Sequence, residues 1–142
     1  MTTDRFAQCF ERAHASGRTA LMAFVTAGDP DPATSAALIA RLPGAGADIV
    51  EIGIPSADPV LDGPVIKASH ARATAAGATP RTALDLAAGL RAANADIPIL
   101  LMGYAPDLRR FGAISFIAGA REAGADGILV IEAAPIEVNA WR

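Results

Sequence analysis

The four residues Ala-Gly-Ala-Asp occur twice, at Ala45–Asp48 and at Ala123–Asp126, 78 residues apart. The same offset of 78 carries the apolar run Thr19–Val25 onto Ile97–Gly103. Agreement at two separate places points to one strand–helix–strand–helix unit laid down twice. In each copy the Gly lets a helix end and the chain enter a strand within a few residues. Alternating strands and helices with short connections predict parallel strands joined by right-handed crossovers.

Taken in order, Thr3-Asp4 precede a helix whose Phe6, Cys9, Phe10 and Ala13 share one side at i, i+3, i+4, i+7. Ser16-Gly17 ends it. A first buried strand is predicted over Thr19–Val25, then a helix from about Ala33 to Ala45, and a second strand over Ile49–Ile54. A Pro/Gly/Asp loop, Pro55 to Pro64, leads to a short helix, Val65–Ala76. A further helix runs from Pro80, with Pro in the first turn, to Ala93. The third strand is predicted over Ile97–Met102, a helix over Leu108–Ala123, and the fourth strand over Gly127–Ile131. Residues 132–142 are assigned no element.

Composition bounds the class. Apolar residues at 52% and charged ones at 19% of 142 positions suit one globular domain, 1–142, and not a disordered chain. A net charge of −3 gives no basic footprint for nucleic acid. No apolar run approaches the ~20 residues of a membrane span. Met1-Thr-Thr-Asp-Arg lacks the basic and apolar regions of a secretory leader. Cys9, the one cysteine, cannot pair within the chain and is read as helix packing in a reducing compartment, so a cytoplasmic location is expected.

Two parallel architectures compete. A doubly wound sheet usually carries a Gly-rich phosphate turn after its first strand, and Gly28-Asp29-Pro30 does not match one. The repeat, and the reactive-looking residues near the C-terminal ends of strands, favour a (β/α)8 barrel. A barrel takes about 250 residues, so four strands amount to about half of one. The expected fold class is α/β: the parallel (β/α) half of a TIM barrel, about four strands with an extra N-terminal helix, as one truncated domain. Its first and last strands would be apolar edges, open to self-association or a partner.

Glu51 interrupts the apolar second strand, and an acid there costs free energy unless it is bonded, neutralised or used. It is placed near the C-terminal end of that strand, where partial burial would raise its pKa into a range useful for proton transfer. The competing reading is a carboxylate bonded to a neighbouring backbone loop. Asp62, in Leu-Asp-Gly-Pro, is either a functional acid or an Asx-turn and helix cap; Asp58 before Pro59 reads more strongly as turn structure. Phe24 and Tyr104, placed at the ends of the first and third strands, fit core packing or substrate contact equally. Lys67 reads as a solvated charge. His14 and His70 have no metal-ligand spacing and are expected on helix surfaces; no metal is expected.

Glu51-Ile-Gly-Ile-Pro, Asp58-Pro59 and Asp62-Gly-Pro-Val-Ile resemble the signature of the tryptophan synthase α subunit family. Phe24-Val-Thr-Ala-Gly-Asp-Pro30, Leu101-Met-Gly-Tyr104 and Gly124-Ala-Asp-Gly-Ile-Leu-Val130 match in the same order and spacing. The resemblance covers nearly the whole chain but only the N-terminal half of the family. It implies a (β/α)8 barrel that cleaves indole-3-glycerol phosphate to indole and glyceraldehyde 3-phosphate, and passes indole to a PLP-containing β subunit. By that resemblance Glu51 is the acid/base at indole C3 and at the glycerol hydroxyl, and Asp62 accepts the indole N–H and stabilises the charge developing on the ring. Phe24 and Tyr104 would line the indole pocket, and Asp58-Pro59 lie in the loop facing the β subunit. No cofactor is implied.

The chain departs from the family at Pro55-Ser56-Ala57, where Pro-Phe-Ser/Thr is usual, and at Leu61, usually Ala. It departs again at Lys67, usually Gln, at Pro106, usually Asn, and at Glu132-Ala-Ala-Pro135, usually Asp-Leu-Pro-Pro. The family's phosphate-holding loops belong to strands five to eight, beyond the stretch matched here. Two other readings are a non-catalytic half-barrel that self-associates or binds a partner, and a different phosphosugar lyase or isomerase.

Overall fold

The computed structural model describes residues 4–141. Thr3, expected at the start of the first helix, the leader reading of residues 1–3, and Arg142 lie outside the described residues. Four strands, Met22–Thr26 (β1), Ile49–Gly53 (β2), Ile99–Tyr104 (β3) and Gly127–Ile131 (β4), form one sheet in the order β1-β2-β3-β4, parallel throughout. The 78-residue offset survives in the pairing. Met22 lies beside Ile49 and Thr26 beside Gly53, while Leu100 lies beside Gly127 and Tyr104 beside Ile131.

Each Ala-Gly-Ala-Asp turns out to be a helix stop followed by a strand clamp. Gly46 (φ 104°) and Gly124 (φ 77°) take the left-handed conformation that other residues adopt only with strain. Around them Ala47 N–H donates to the Leu42 carbonyl at 3.0 Å and Ala125 N–H to that of Ala120 at 3.0 Å. The Asp that follows then grips the neighbouring chain. Asp48 accepts Leu21 N–H at 2.8 Å and Asp126 accepts Ile99 N–H at 2.9 Å. The Asp48 and Asp126 N–H groups donate back to the carbonyls of Leu21 and Ile99. Strand β1 begins at Met22, later than the apolar run.

Asp48 also holds Arg18 through two hydrogen bonds of 2.6 and 2.7 Å. That guanidinium, with Leu21 N–H, lowers the Asp48 carboxyl to about 2. Its ionised form therefore stabilises the fold above the ordinary carboxylate range, and the contribution is lost as pH falls towards 2. Thermal unfolding followed between pH 5 and pH 2 is expected to show a steep acid limb that Asp48→Asn flattens.

The helices are Arg5–Ala15 (α1), Pro32–Arg41 (α2), Pro64–Ala75 (α3), Pro80–Ala93 (α4), Ala105–Phe111 (α5), Ala113–Glu122 (α6) and Pro135–Trp141 (α7). Val50, Ile52 and Ile54 of the β2 stretch, with Ile99 and Leu101 of β3, bury against Ile39 of α2, Leu84, Ala87 and Leu90 of α4, and Phe116 of α6. Because strand side chains alternate, Phe24, Glu51, Leu100 and Met102 take the other face of the sheet. Helix α1 crosses the N-terminal strand ends, capped by Asp4, with the Phe6 ring against Gly127. Cys9 and Ala13 are buried there as expected, but Phe10 is 54% exposed, because only a narrow arc of α1 meets the sheet.

Two further expectations change. Gly112 at φ 101° breaks the helix expected over Leu108–Ala123 into α5 and α6. The stretch left unassigned contains α7, tied down by two bonds of 2.7 Å from Arg109 to Glu137. On the open face of the outer strands Met22 is 44% and Leu129 48% exposed, as expected of uncovered apolar edges. No helix among the described residues is long and apolar enough to cross a membrane.

Candidate active site

Glu51 sits in the middle of β2 and not near its end, flanked by Val50 and Ile52, which turn fully into the helical core. Its own side chain points to the open face. There the register sets Phe24, Glu51, Leu100 and Gly127 in one row across the sheet. The carboxylate is half-buried, makes no hydrogen bond or ion pair with any described residue, and is raised above the usual glutamate range by burial. The bonded-to-a-loop alternative is therefore not found. Phe24 likewise lies mid-strand in β1. A Cβ at Gly53 would come within 2.5 Å of the Phe24 ring, so only Gly lets that ring lean across β2 towards the strand ends.

The loop after β2 is fixed by short internal contacts. Ser56 Oγ accepts Asp58 N–H at 3.2 Å, Val60 N–H donates to the Asp58 carbonyl at 2.9 Å, and Asp62 N–H to that of Pro59 at 3.2 Å. Asp58 is exposed and Pro59 buried. Helix α3 is capped at Gly63 without any side-chain bond, so Asp62 is not the cap its sequence context suggests. Asp62 Oδ2 instead lies 3.4 Å from His70 Nε2 and beside the Tyr104 phenol.

His70 corrects a surface assignment: it is fully buried. Its Nδ1 accepts the Ser56 N–H at 3.1 Å. The neighbouring Ser69 Oγ donates to the Ile66 carbonyl at 2.7 Å, which leaves Thr26 Oγ1 as donor in the 2.6 Å Thr26–Ser69 contact. These bonds seat α3 on the ends of β1 and β2. The signal was present in the sequence: Ile66, Ser69, His70 and Ala73 fall at i, i+3, i+4, i+7, an inward stripe holding two polar residues. His14 and Lys67 are exposed, as expected. No group of residues that could hold a metal ion occurs among the described residues.

Tyr104 ends β3 and is 1% exposed, its phenol raised chiefly by burial and next by Asp62. With Ser56, Asp58, Pro106, Asp107, Arg110 and Glu132 it lines a recess of about 140 Å³. Ligand pockets run to about 300–1,000 Å³, so this recess alone is too small to be one. The structure thus groups Glu51 with Phe24 on the sheet face, and Asp62 with Tyr104 and His70 at the loop.

The chain has relatives among known proteins. The family described as "Tryptophan synthase alpha chain" matches residues 10–141. The tryptophan synthase alpha chain of Azoarcus sp. (strain BH72) is 47% identical over 128 residues, 90% of this chain and 47% of that one. Its counterpart in Burkholderia mallei is 46% identical over 133 residues, 94% of this chain and 49% of its own. The tryptophan synthase subunit alpha of Legionella pneumophila superposes with a TM-score of 0.90 at 33% identity, over 99% of this chain and 53% of that one. A tryptophan synthase structure from M. tuberculosis gives 0.90 at 29% identity, over 98% and 56%. This chain spans about half the length of the curated relatives it matches, and its sheet and helices are the corresponding part of their (β/α) barrel. The chain belongs to the tryptophan synthase alpha chain family.

Proposed function

We propose that this chain, as one truncated barrel-type domain, carries the proton-transfer face of an indole-3-glycerol phosphate lyase. The observation that carries the reading is Glu51: a half-buried carboxylate raised by burial, with no hydrogen-bond or ion-pair partner among the described residues, beside Phe24 on the face where a barrel interior lies. Burial that favours the protonated form makes this carboxyl a better-held proton donor than an exposed glutamate, and its carboxylate can take a proton back. In the protonated form Glu51 delivers a proton to indole C3, and Asp62 accepts the indole N–H while the ring becomes an indoleninium. The glycerol hydroxyl then loses its proton with help from the Glu51 carboxylate. The C–C bond breaks, its electron pair returns to the ring, and indole leaves with glyceraldehyde 3-phosphate. An aimed carboxylate at the ring nitrogen stabilises the charge that forms there.

Phe24 and Tyr104 flank the indole in this reading. Asp58 and Pro59 face a β subunit, phosphate binding falls to the barrel half that the chain does not span, and the setting is cytoplasmic. The test is steady-state indole release by the chain alone, with a β subunit, and after fusion to the second half of the Azoarcus relative. Release is expected from the fusion and not from the chain alone. A folded fusion that makes no indole would overturn the reading.

The exposed Met22 and Leu129 favour a second reading, a non-catalytic half-barrel that covers its open face by self-association. Light scattering separates the two, since a chain that stays monomeric counts against self-association.

A further inference from the structure

We infer that His70 is a positioning residue for Asp62, a strut from α3 that fixes the carboxylate and its loop as one unit. The inference rests on the role proposed above for Asp62. The Ser56 N–H occupies Nδ1 at 3.1 Å, so a neutral ring must carry its proton on Nε2. That nitrogen faces Asp62 Oδ2 at 3.4 Å, and both atoms are shut off from solvent without a hydrogen-bond partner among the described residues, a donor and an acceptor left facing each other. One ring therefore spans both ends of the loop: one nitrogen holds Ser56 just after β2, the other meets Asp62 just before α3. The Thr26–Ser69 contact, one residue earlier on α3, anchors the base of the strut. Contacts of this kind are often long in unliganded sites and shorten when substrate binds.

The charged groups around the ring are the carboxylates of Asp62, Asp107 and Asp29. All three favour the imidazolium, but desolvation outweighs them and lowers the His70 pKa. A neutral ring with a single N–H is the form that can orient Asp62 without cancelling its charge.

The test is ring-nitrogen NMR of the full chain, which needs no turnover. At neutral pH the expected signal is an Nε2–H tautomer with an unprotonated, hydrogen-bonded Nδ1. Replacing Asp62 by Asn removes a carboxylate that favours imidazolium, so the His70 midpoint should fall by about half a unit or more. An Nδ1–H tautomer, or a midpoint that Asp62→Asn leaves in place, overturns the inference. In the active fusion, His70→Leu should lower kcat about tenfold with little change in KM, and His70→Gln, which keeps an N–H at the Nε2 end, should recover most of it. An active fusion indifferent to both variants also overturns it. If the NMR shows the pairing and the fusion makes no indole, the strut stands and the catalytic reading of Asp62 falls.

Discussion

Glu51→Gln is expected to lower indole release by roughly 10²–10⁴-fold, the usual contribution of a positioned general acid–base group. The side chain keeps its shape and loses the proton it delivers, so the effect should fall on kcat and leave KM nearly unchanged. Folding should not suffer. Glu51 has no hydrogen-bond or ion-pair partner among the described residues to be orphaned by the change. The sign of the stability effect follows from its raised pKa. The folded state holds the Glu51 proton more tightly than the unfolded chain does, so ionisation destabilises the fold as pH rises. Glu51→Gln should therefore leave stability unchanged near pH 3 and increase it at neutral pH. An unfolded variant would point to a structural carboxylate.

Asp126→Ala is expected to damage the fold strongly for a polar substitution, costing roughly 2–4 kcal/mol. One carboxylate holds three partners: Arg5 Nη1 at 2.8 Å, Arg91 Nη2 at 2.7 Å and Ile99 N–H at 2.9 Å. Arg91 is only 15% exposed and also donates to the carbonyls of Gly124, Asn94 and Ala95. Without Asp126 its guanidinium stays partly buried without its ion-pair partner, α1 loses its Arg5 tether, and β3 loses the clamp at its start. For a chain of this length the thermal midpoint should drop by about 10 °C, read by circular dichroism. Asp48→Ala should cost less, because its arginine partner, Arg18, is half exposed. Equal effects at the two repeats would contradict this reading of the clamp.

The two Asp residues show how far sequence alone reaches. Ala-Gly-Ala-Asp and its spacing were legible, and the parallel sheet followed, because a glycine stop and a buried strand are local features. The grip of each Asp on the strand next to it was not legible, since Leu21 and Ile99 meet those carboxylates only after the sheet has formed. Gly112 was hidden inside an apolar pattern that reads as a continuous helix, and its positive φ decides otherwise. Within the candidate site, Glu51 stood out because an acid in a buried strand is a visible anomaly. His70 did not, since its polar side chain suggested solvent. Its burial comes from α3 lying across β1 and β2, and its partners Ser56 and Asp62 lie on a loop whose path depends on that packing. Phe24 and Glu51 each lie two residues short of their strand ends for the same reason: pairing, not composition, sets where a strand stops.

The central claim is that Glu51 moves the proton. Single-turnover indole release at neutral pH, by the fusion that carries this chain ahead of the Azoarcus second half, tests it most directly when run beside the same fusion bearing Glu51→Gln. Release is expected from the first, and a loss of about a hundredfold or more in the second, with substrate affinity retained. Release that survives Glu51→Gln within a few-fold would contradict it.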